Sequence, residues 1–253
     1  MKRRIKMRKK IDYYEYWNKN RKDKNKLFDR EKIAFKLISK IIKKGDFFLD
    51  VGCGNGKFMK LISENFPNLT LKGIDYSKKE VLEAKKKGLN VKQGDIEQGI
   101  NFKKNSFDIV FSGEIIEHLY DPDFLLSEAN RVLKKDGFLV LTTPNLCAWF
   151  NRILLLFGIQ PLFLEPSTKS KLIGAGFLKR FKKESQPVGH VRIFTLEALK
   201  DLLKESGFKI IKIRGSIFSQ GLPKWILFFD KMFKIYPSLS SCLVIMVKKI
   251  EDK

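Results

Sequence analysis

Apolar residues fall along this chain in short runs separated by stretches of helical spacing. Runs are centred on Phe47–Val51, Leu69–Ile74, Val91, Phe107–Phe111, Phe138–Leu141, Phe208–Ile213 and Leu243–Val247. Each marks a strand, and Phe47–Val51 is apolar enough for a strand covered on both faces. Between them the spacing turns helical. Ile33, Phe35, Leu37, Ile38, Ile41 and Ile42 predict an amphipathic helix before the first strand. Ser77-Lys78-Lys79-Glu80 is a capping-box pattern, and Gly88 follows the helix it would start. Asp121-Pro122 supplies a cap and a first-turn proline ahead of the stripe Leu125, Ala129, Val132 and Leu133. Thr195 would cap a helix through Leu199, Leu202 and Leu203 that stops at Gly207, and 224–235 reads as a very apolar helix. Strands alternating with helices predict a parallel sheet, whose ligand sits outside the carboxyl ends of the strands.

The alternation breaks at about 144–192. This stretch reads as an insertion, first apolar (Trp149, Phe150, Ile153 to Phe157, Leu162 to Leu164), then basic (Lys169, Lys171, Lys179, Arg180, Lys182, Lys183). Residues 1–45 read as a basic helical segment with Tyr13, Tyr14 and Trp17 on adjacent turns. Residues 46–253 then form the main domain, with the insertion as a lid on its acceptor side.

The first strand runs into Asp50-Val51-Gly52-Cys53-Gly54-Asn55-Gly56. Glycine permits positive φ and close approach of a ligand to the backbone, and the amides opening the next helix favour polar or anionic groups. A dinucleotide fingerprint needs Gly-x-Gly-x-x-Gly. From Gly52 its third position is Lys57, and from Gly54 no third glycine follows. Asp75 ends the second strand, 19 residues beyond Gly56, a spacing suited to bidentate hydrogen bonding of a ribose diol. Asp95-Ile96 follows the third strand and Gly113 the fourth.

The glycine run with Asp50, Asp75, Asp95 and Gly113 in this order resembles the class I S-adenosylmethionine (SAM) dependent methyltransferases, over residues 47 to about 143. The resemblance implies an α/β Rossmann-like fold: a seven-stranded, mostly parallel sheet with an antiparallel last strand and helices on both faces. It implies a SAM site built from Asp50, Gly52, Cys53, Gly54, Asp75, Tyr76, Asp95, Ile96 and Gly113. Asp50 would lie near the methionine ammonium, Asp95 would accept from the adenine amino group with Ile96 against the ring, and Gly113 would let the backbone meet the methionyl end. A leading segment such as 1–45 often covers the cofactor in these enzymes; packing of its aromatics on the domain flank is the other reading.

Glu114-Ile115-Ile116-Glu117-His118 follows the fourth strand. This Glu-x-x-Glu-His pattern is similar to that of the ubiquinone-pathway O-methyltransferases, where the two acids and the histidine can hold a divalent metal beside the acceptor hydroxyl. Three roles stay open here: a metal site at Glu114, Glu117 and His118, His118 as a base with Glu117 beside it, or a structural loop. His190, in Gly189-His190-Val191-Arg192, matches a histidine those enzymes place before the corresponding helix; it would face the acceptor or make a plain hydrogen bond. Arg192 would meet an acceptor phosphate or carboxylate, or make a local ion pair. The Asn-Pro-Pro-Tyr or Asp-Pro-Pro-Tyr of amino-adenine methyltransferases does not follow the fourth strand. Cys147 follows Pro144-Asn145-Leu146, so the nucleophilic cysteine of 5-methylcytosine enzymes is not matched.

Composition changes this picture in one respect. The 253 residues carry a formal charge of +23, with seven bases among the first ten residues. Such a surface favours phosphate-bearing partners, unless the lysines are merely scattered and solvated. The expected activity is methyl transfer to an oxygen of a small-molecule, glycan or lipid-linked acceptor. The alternatives are an RNA methyltransferase or a SAM-binding protein without catalysis, with nucleic acid the weaker partner. Residues 146–183 and 224–235, apolar with flanking lysines, would form the acceptor side and touch a membrane periphery, or serve as ordinary core and lid. Three scattered cysteines, no apolar segment behind the basic start and no apolar run long enough to span a bilayer point to a cytoplasmic protein.

Overall fold

The computed structural model describes residues 27–181, 186–218 and 224–253. Tyr13, Tyr14, Trp17, Lys182 and Lys183 lie outside the described residues, as do the side chains of Lys224 and Trp225. In chain order the elements are α1 (Asp29–Ile38), β1 (Phe47–Val51), α2 (Lys57–Asn65), β2 (Thr70–Asp75), α3 (Lys78–Lys86), β3 (Val91–Gln93), β4 (Phe107–Gly113), α4 (Pro122–Val132), β5 (Leu133–Pro144), α5 (Trp149–Leu156), α6 (Leu196–Glu205), β6 (Phe208–Ser216), α7 (Lys224–Phe233) and β7 (Cys242–Lys249).

The seven strands form one sheet in the order β3-β2-β1-β4-β5-β7-β6. β1 to β5 pair in parallel, and β7 enters antiparallel to both β5 and β6. Successive residues of a strand point to opposite faces, and two cores result. Leu49, Val51, Val110 and Leu139 pack with Leu126 and Ala129 of α4 and Leu199 and Leu203 of α6. Phe48, Ile109, Phe111 and Val140 pack on the other face with Ala34 and Ile38 of α1 and Phe58 and Ile62 of α2. Helix α1 therefore shares the main core.

The expected caps form. Ser77 accepts from the Glu80 amide, Asp121 from Phe124 and Thr195 from Ala198. Leu133 departs from the expected helical stripe: α4 ends at Val132, and Leu133 adopts an extended backbone and begins a 12-residue β5. Its pairing with Phe107 overrides its helical spacing. The insertion holds α5 and a 3-10 turn at Gly176–Phe181.

Candidate active site

The switch in strand order falls between β1 and β4, and the expected site residues gather at the carboxyl ends beside it. Gly52, Gly54 and Gly56 all have positive φ, at 79°, 52° and 74°. Their surroundings differ. A Cβ on Gly52 would strike the Ile115 side chain and one on Gly56 would strike Leu89, whereas one on Gly54 would meet only Glu80 Oε2 at 3.8 Å. Open space above Gly54 is what a ligand lying on the loop requires. The loop is tied to β2, because Asp75 Oδ2 accepts from the Gly54 amide at 2.7 Å and Oδ1 from the Ser77 amide at 2.8 Å. Each carboxylate oxygen keeps a second lone pair for a diol.

The electrostatics complement a cation. Asp50 is buried, and its pKa is pushed well up by burial, by Asp75 and by Glu31. Burial also raises Asp75, offset in part by the Ser77 and Gly54 amides, and it drives the Cys53 thiol upward. An ammonium or sulfonium placed here would relieve the repulsion that holds Asp50 towards its neutral form. This donor set fits SAM. Asp95 caps the 3-10 turn at Ile96–Gln98, accepting from the Glu97 amide at 3.1 Å, and together with Gly94 borders an open cleft. Ile96 is buried behind it. At Gly113 a Cβ would meet the Phe111 ring at 2.7 Å, a packing reason for glycine there independent of any ligand.

The first turn of α1 reaches three walls of the site. Glu31 pairs with Lys57 Nζ at 2.7 Å, at the start of α2. Arg30 Nε lies 3.2 Å from Glu114 Oε2, just beyond β4. Asp29 accepts from Ser216 Oγ, from the Ile217 amide and from Lys234 Nζ of the segment after α7.

After β4, Glu114 takes a left-handed backbone, φ 58°, and its side chain turns to Arg30 and to Thr142 Oγ1, 2.9 Å away. The group that converges is Glu117, His118 and His190, whose candidate ligand atoms lie within 4.8 Å of one another. The expected trio of Glu114, Glu117 and His118 is thus replaced by one in which His190 stands for Glu114. Glu117 is fully buried. Its Oε2 accepts from Thr143 Oγ1 at 3.0 Å, while Oε1 has no hydrogen-bond partner among the described residues. Burial, then the Glu114 charge, raises its pKa well above the usual range.

The two imidazole rings lie 4.9 Å apart. His118 Nδ1 is 3.1 Å from Gly189 O, and His190 Nδ1 is 2.8 Å from Phe163 O. A carbonyl only accepts, so each of these Nδ1 atoms carries the hydrogen of its contact. The insertion closes over this cluster through Glu165, which accepts from the amides of Val188, Gly189 and His190 at 2.7–3.1 Å. Glu117 O in turn accepts from the Val191 amide. Sequence reasoning passed over Glu165, although it is the only acid between 145 and 181. Arg192 shows no ion pair among the described residues; its Nη2 donates to Tyr120 O at 2.6 Å.

Known proteins agree with this architecture. Residues 49–141 match the family described as Methyltransferase domain. The chain is 31% identical to demethylmenaquinone methyltransferase of Lactobacillus johnsonii, over 68% of this chain and 71% of that protein. It is 36% identical to the ubiquinone biosynthesis O-methyltransferase of Pelagibacter ubique over a shorter stretch, 38% of this chain and 41% of that one. Among solved structures, a chain in the complex of the Haloferax volcanii Trm112 methyltransferase activator with its methyltransferase superposes with a TM-score of 0.63, at 16% identity, over 95% of this chain and 97% of its own length. Glycine loop, strand-end acids, sheet order and relatives together establish the chain as a member of the class I SAM-dependent methyltransferases, similar to the ubiquinone-pathway type.

Proposed function

We propose that this methyltransferase acts on an oxygen of an apolar small-molecule or lipid-linked acceptor placed against Glu117, His118 and His190. The observation that carries the proposal is the convergence of these three groups beyond β4, beneath an insertion rich in apolar side chains. That the chain resembles a demethylmenaquinone methyltransferase and a ubiquinone biosynthesis O-methyltransferase supports an acceptor of quinone-like character.

Bound SAM supplies an activated methyl group, so the protein's work is alignment, exclusion of water and removal of the acceptor proton. Alignment alone can contribute ~7–11 kcal/mol. Asp50, Asp75 and Asp95 would hold the donor, and His118, with Nδ1–H anchored on Gly189 O, would take the proton from the acceptor hydroxyl. The same trio offers one carboxylate oxygen without a hydrogen-bond partner among the described residues and two imidazoles, a donor set that also suits a divalent cation, which would lower the hydroxyl pKa in place of the base. The free thiols of Cys53, Cys147 and Cys242 accord with a reducing compartment such as the cytoplasm.

His118→Ala is expected to lower turnover by ~10²-fold or more with SAM affinity barely changed. Turnover lost on chelation and restored by magnesium would assign the trio to a metal, and an unaltered rate in His118→Ala without metal dependence would contradict both roles. The formal charge of +23 favours RNA as a second acceptor class, for which extracted RNA is the direct substrate test.

A further inference from the structure

Helices α5 and α7 stand outside the cofactor site and pack against each other. The Trp149 ring lies 5.9 Å from Phe229 and 5.4 Å from Phe233, and Trp149 Nε1 donates to Asp230. Each helix buries one face and turns the other to solvent. On α5, Phe150, Asn151 and Leu154 are buried, whereas Leu156 is 85% and the adjoining Phe157 74% exposed. On α7, Asp230 is buried, whereas Phe228 is 66% exposed and Ile235, just past the helix, 73%. Scattered apolar residues on a surface need no explanation; here they occupy two adjoining helices.

Among the described residues of these two helices, the exposed charges have one sign. Lys231, one turn after Phe228, is exposed on the same outward side; Arg152, one turn before Leu156, is exposed while donating to Cys147 O and Ser238 O; and Lys179 and Arg180 are exposed in the turn at Gly176–Phe181. Residues 145–181 contain one acid, Glu165, and residues 224–241 one, Asp230. Both are occupied internally: Glu165 by three backbone amides, Asp230 by Ser241, Trp149 and the Phe218 amide.

We infer that α5 and α7 dock on an anionic lipid bilayer, with Leu156, Phe157, Phe228 and Ile235 entering the interface and the flanking bases on the headgroups. Among the described residues no helix is long and apolar enough to cross a membrane, so the contact is superficial. The charge argues for lipid over a second copy of the chain, because a two-fold interface would bring basic rims face to face. The inference does not depend on the identity of the methyl acceptor.

The test is co-sedimentation of the full chain with vesicles containing phosphatidylglycerol, against phosphatidylcholine alone, at physiological salt. The paired substitution Leu156→Ser with Phe228→Ser removes apolar surface without altering charge, so any attraction from the seven bases among the first ten residues stays constant. Wild type is expected on the anionic vesicles only. The pair is expected to weaken binding by about tenfold or more, while SAM titration of the same protein, unchanged, shows that it is folded. Wild type absent from anionic vesicles, equal binding to neutral ones, or a Ser pair that binds as wild type does would overturn the inference. So would a wild-type dimer in analytical centrifugation that the Ser pair dissolves, since a second copy would then cover the surface.

Discussion

At the scale of single residues, the cofactor site depends on which glycine faces the ligand. Gly54 has open space where Gly52 and Gly56 have neighbours. Gly54→Val is therefore expected to abolish SAM binding in calorimetry while the protein stays folded; normal SAM affinity in that variant would remove the loop from the site. Asp50 sets a pH dependence. Burial, with Asp75 and Glu31 adding, raises its folded-state pKa. The stability it contributes is present below its unfolded value and lost as pH rises through the raised one. An ammonium beside Asp50 favours the ionised form, so SAM binding should release a proton. SAM affinity is expected to fall on acidification below the raised pKa, by up to about tenfold per pH unit, and Asp50→Asn should flatten that dependence. A wild-type affinity indifferent to pH would place the ammonium elsewhere.

At the scale of elements, three successive residues at the start of α1 bind three walls of the site. Arg30→Ala would leave Glu114 without its partner in a largely buried pair, at a cost of about 3 kcal/mol. That corresponds to a fall in Tm of roughly 9 °C at ~3 °C per kcal/mol, measurable by calorimetric melting; a shift within ~1 °C would mean the pair is idle. These ties also mark what could be read in advance. The strands, the caps at Ser77, Asp121 and Thr195, and the glycine loop were legible because each is a local pattern of period or spacing. The antiparallel last strand came only through the family resemblance, since pairing between strands distant in sequence leaves no local trace. Leu133 was misplaced because its helical spacing is real, yet pairing with Phe107 decides its conformation. The contacts of Arg30 with Glu114, and of Glu165 with the loop before α6, join segments whose spacing carries no period. For Glu165 and Asp230 a signal did exist: a lone acid in a basic, apolar stretch needs a partner inside the protein once it is buried.

At the scale of the whole molecule, the charge of +23 and the apolar side chains of residues 149–164 draw towards different substrates. A phosphate backbone would be held by many distributed lysines and released steeply by salt. An apolar acceptor would be held by burial beneath the insertion, which salt affects little. We favour the second, because the group of His, Cys, Asp and Glu side chains found close enough to share a cation among the described residues is the small trio Glu117, His118 and His190. The most direct measurement is transfer of labelled methyl from SAM to extracted lipids, glycans and RNA by the wild type and by His118→Ala, across a salt series. The label is expected in the solvent-extractable lipid fraction, nearly independent of salt, and reduced ~10²-fold by the substitution. Label confined to RNA, falling steeply with salt and unaffected by His118→Ala, would contradict the account.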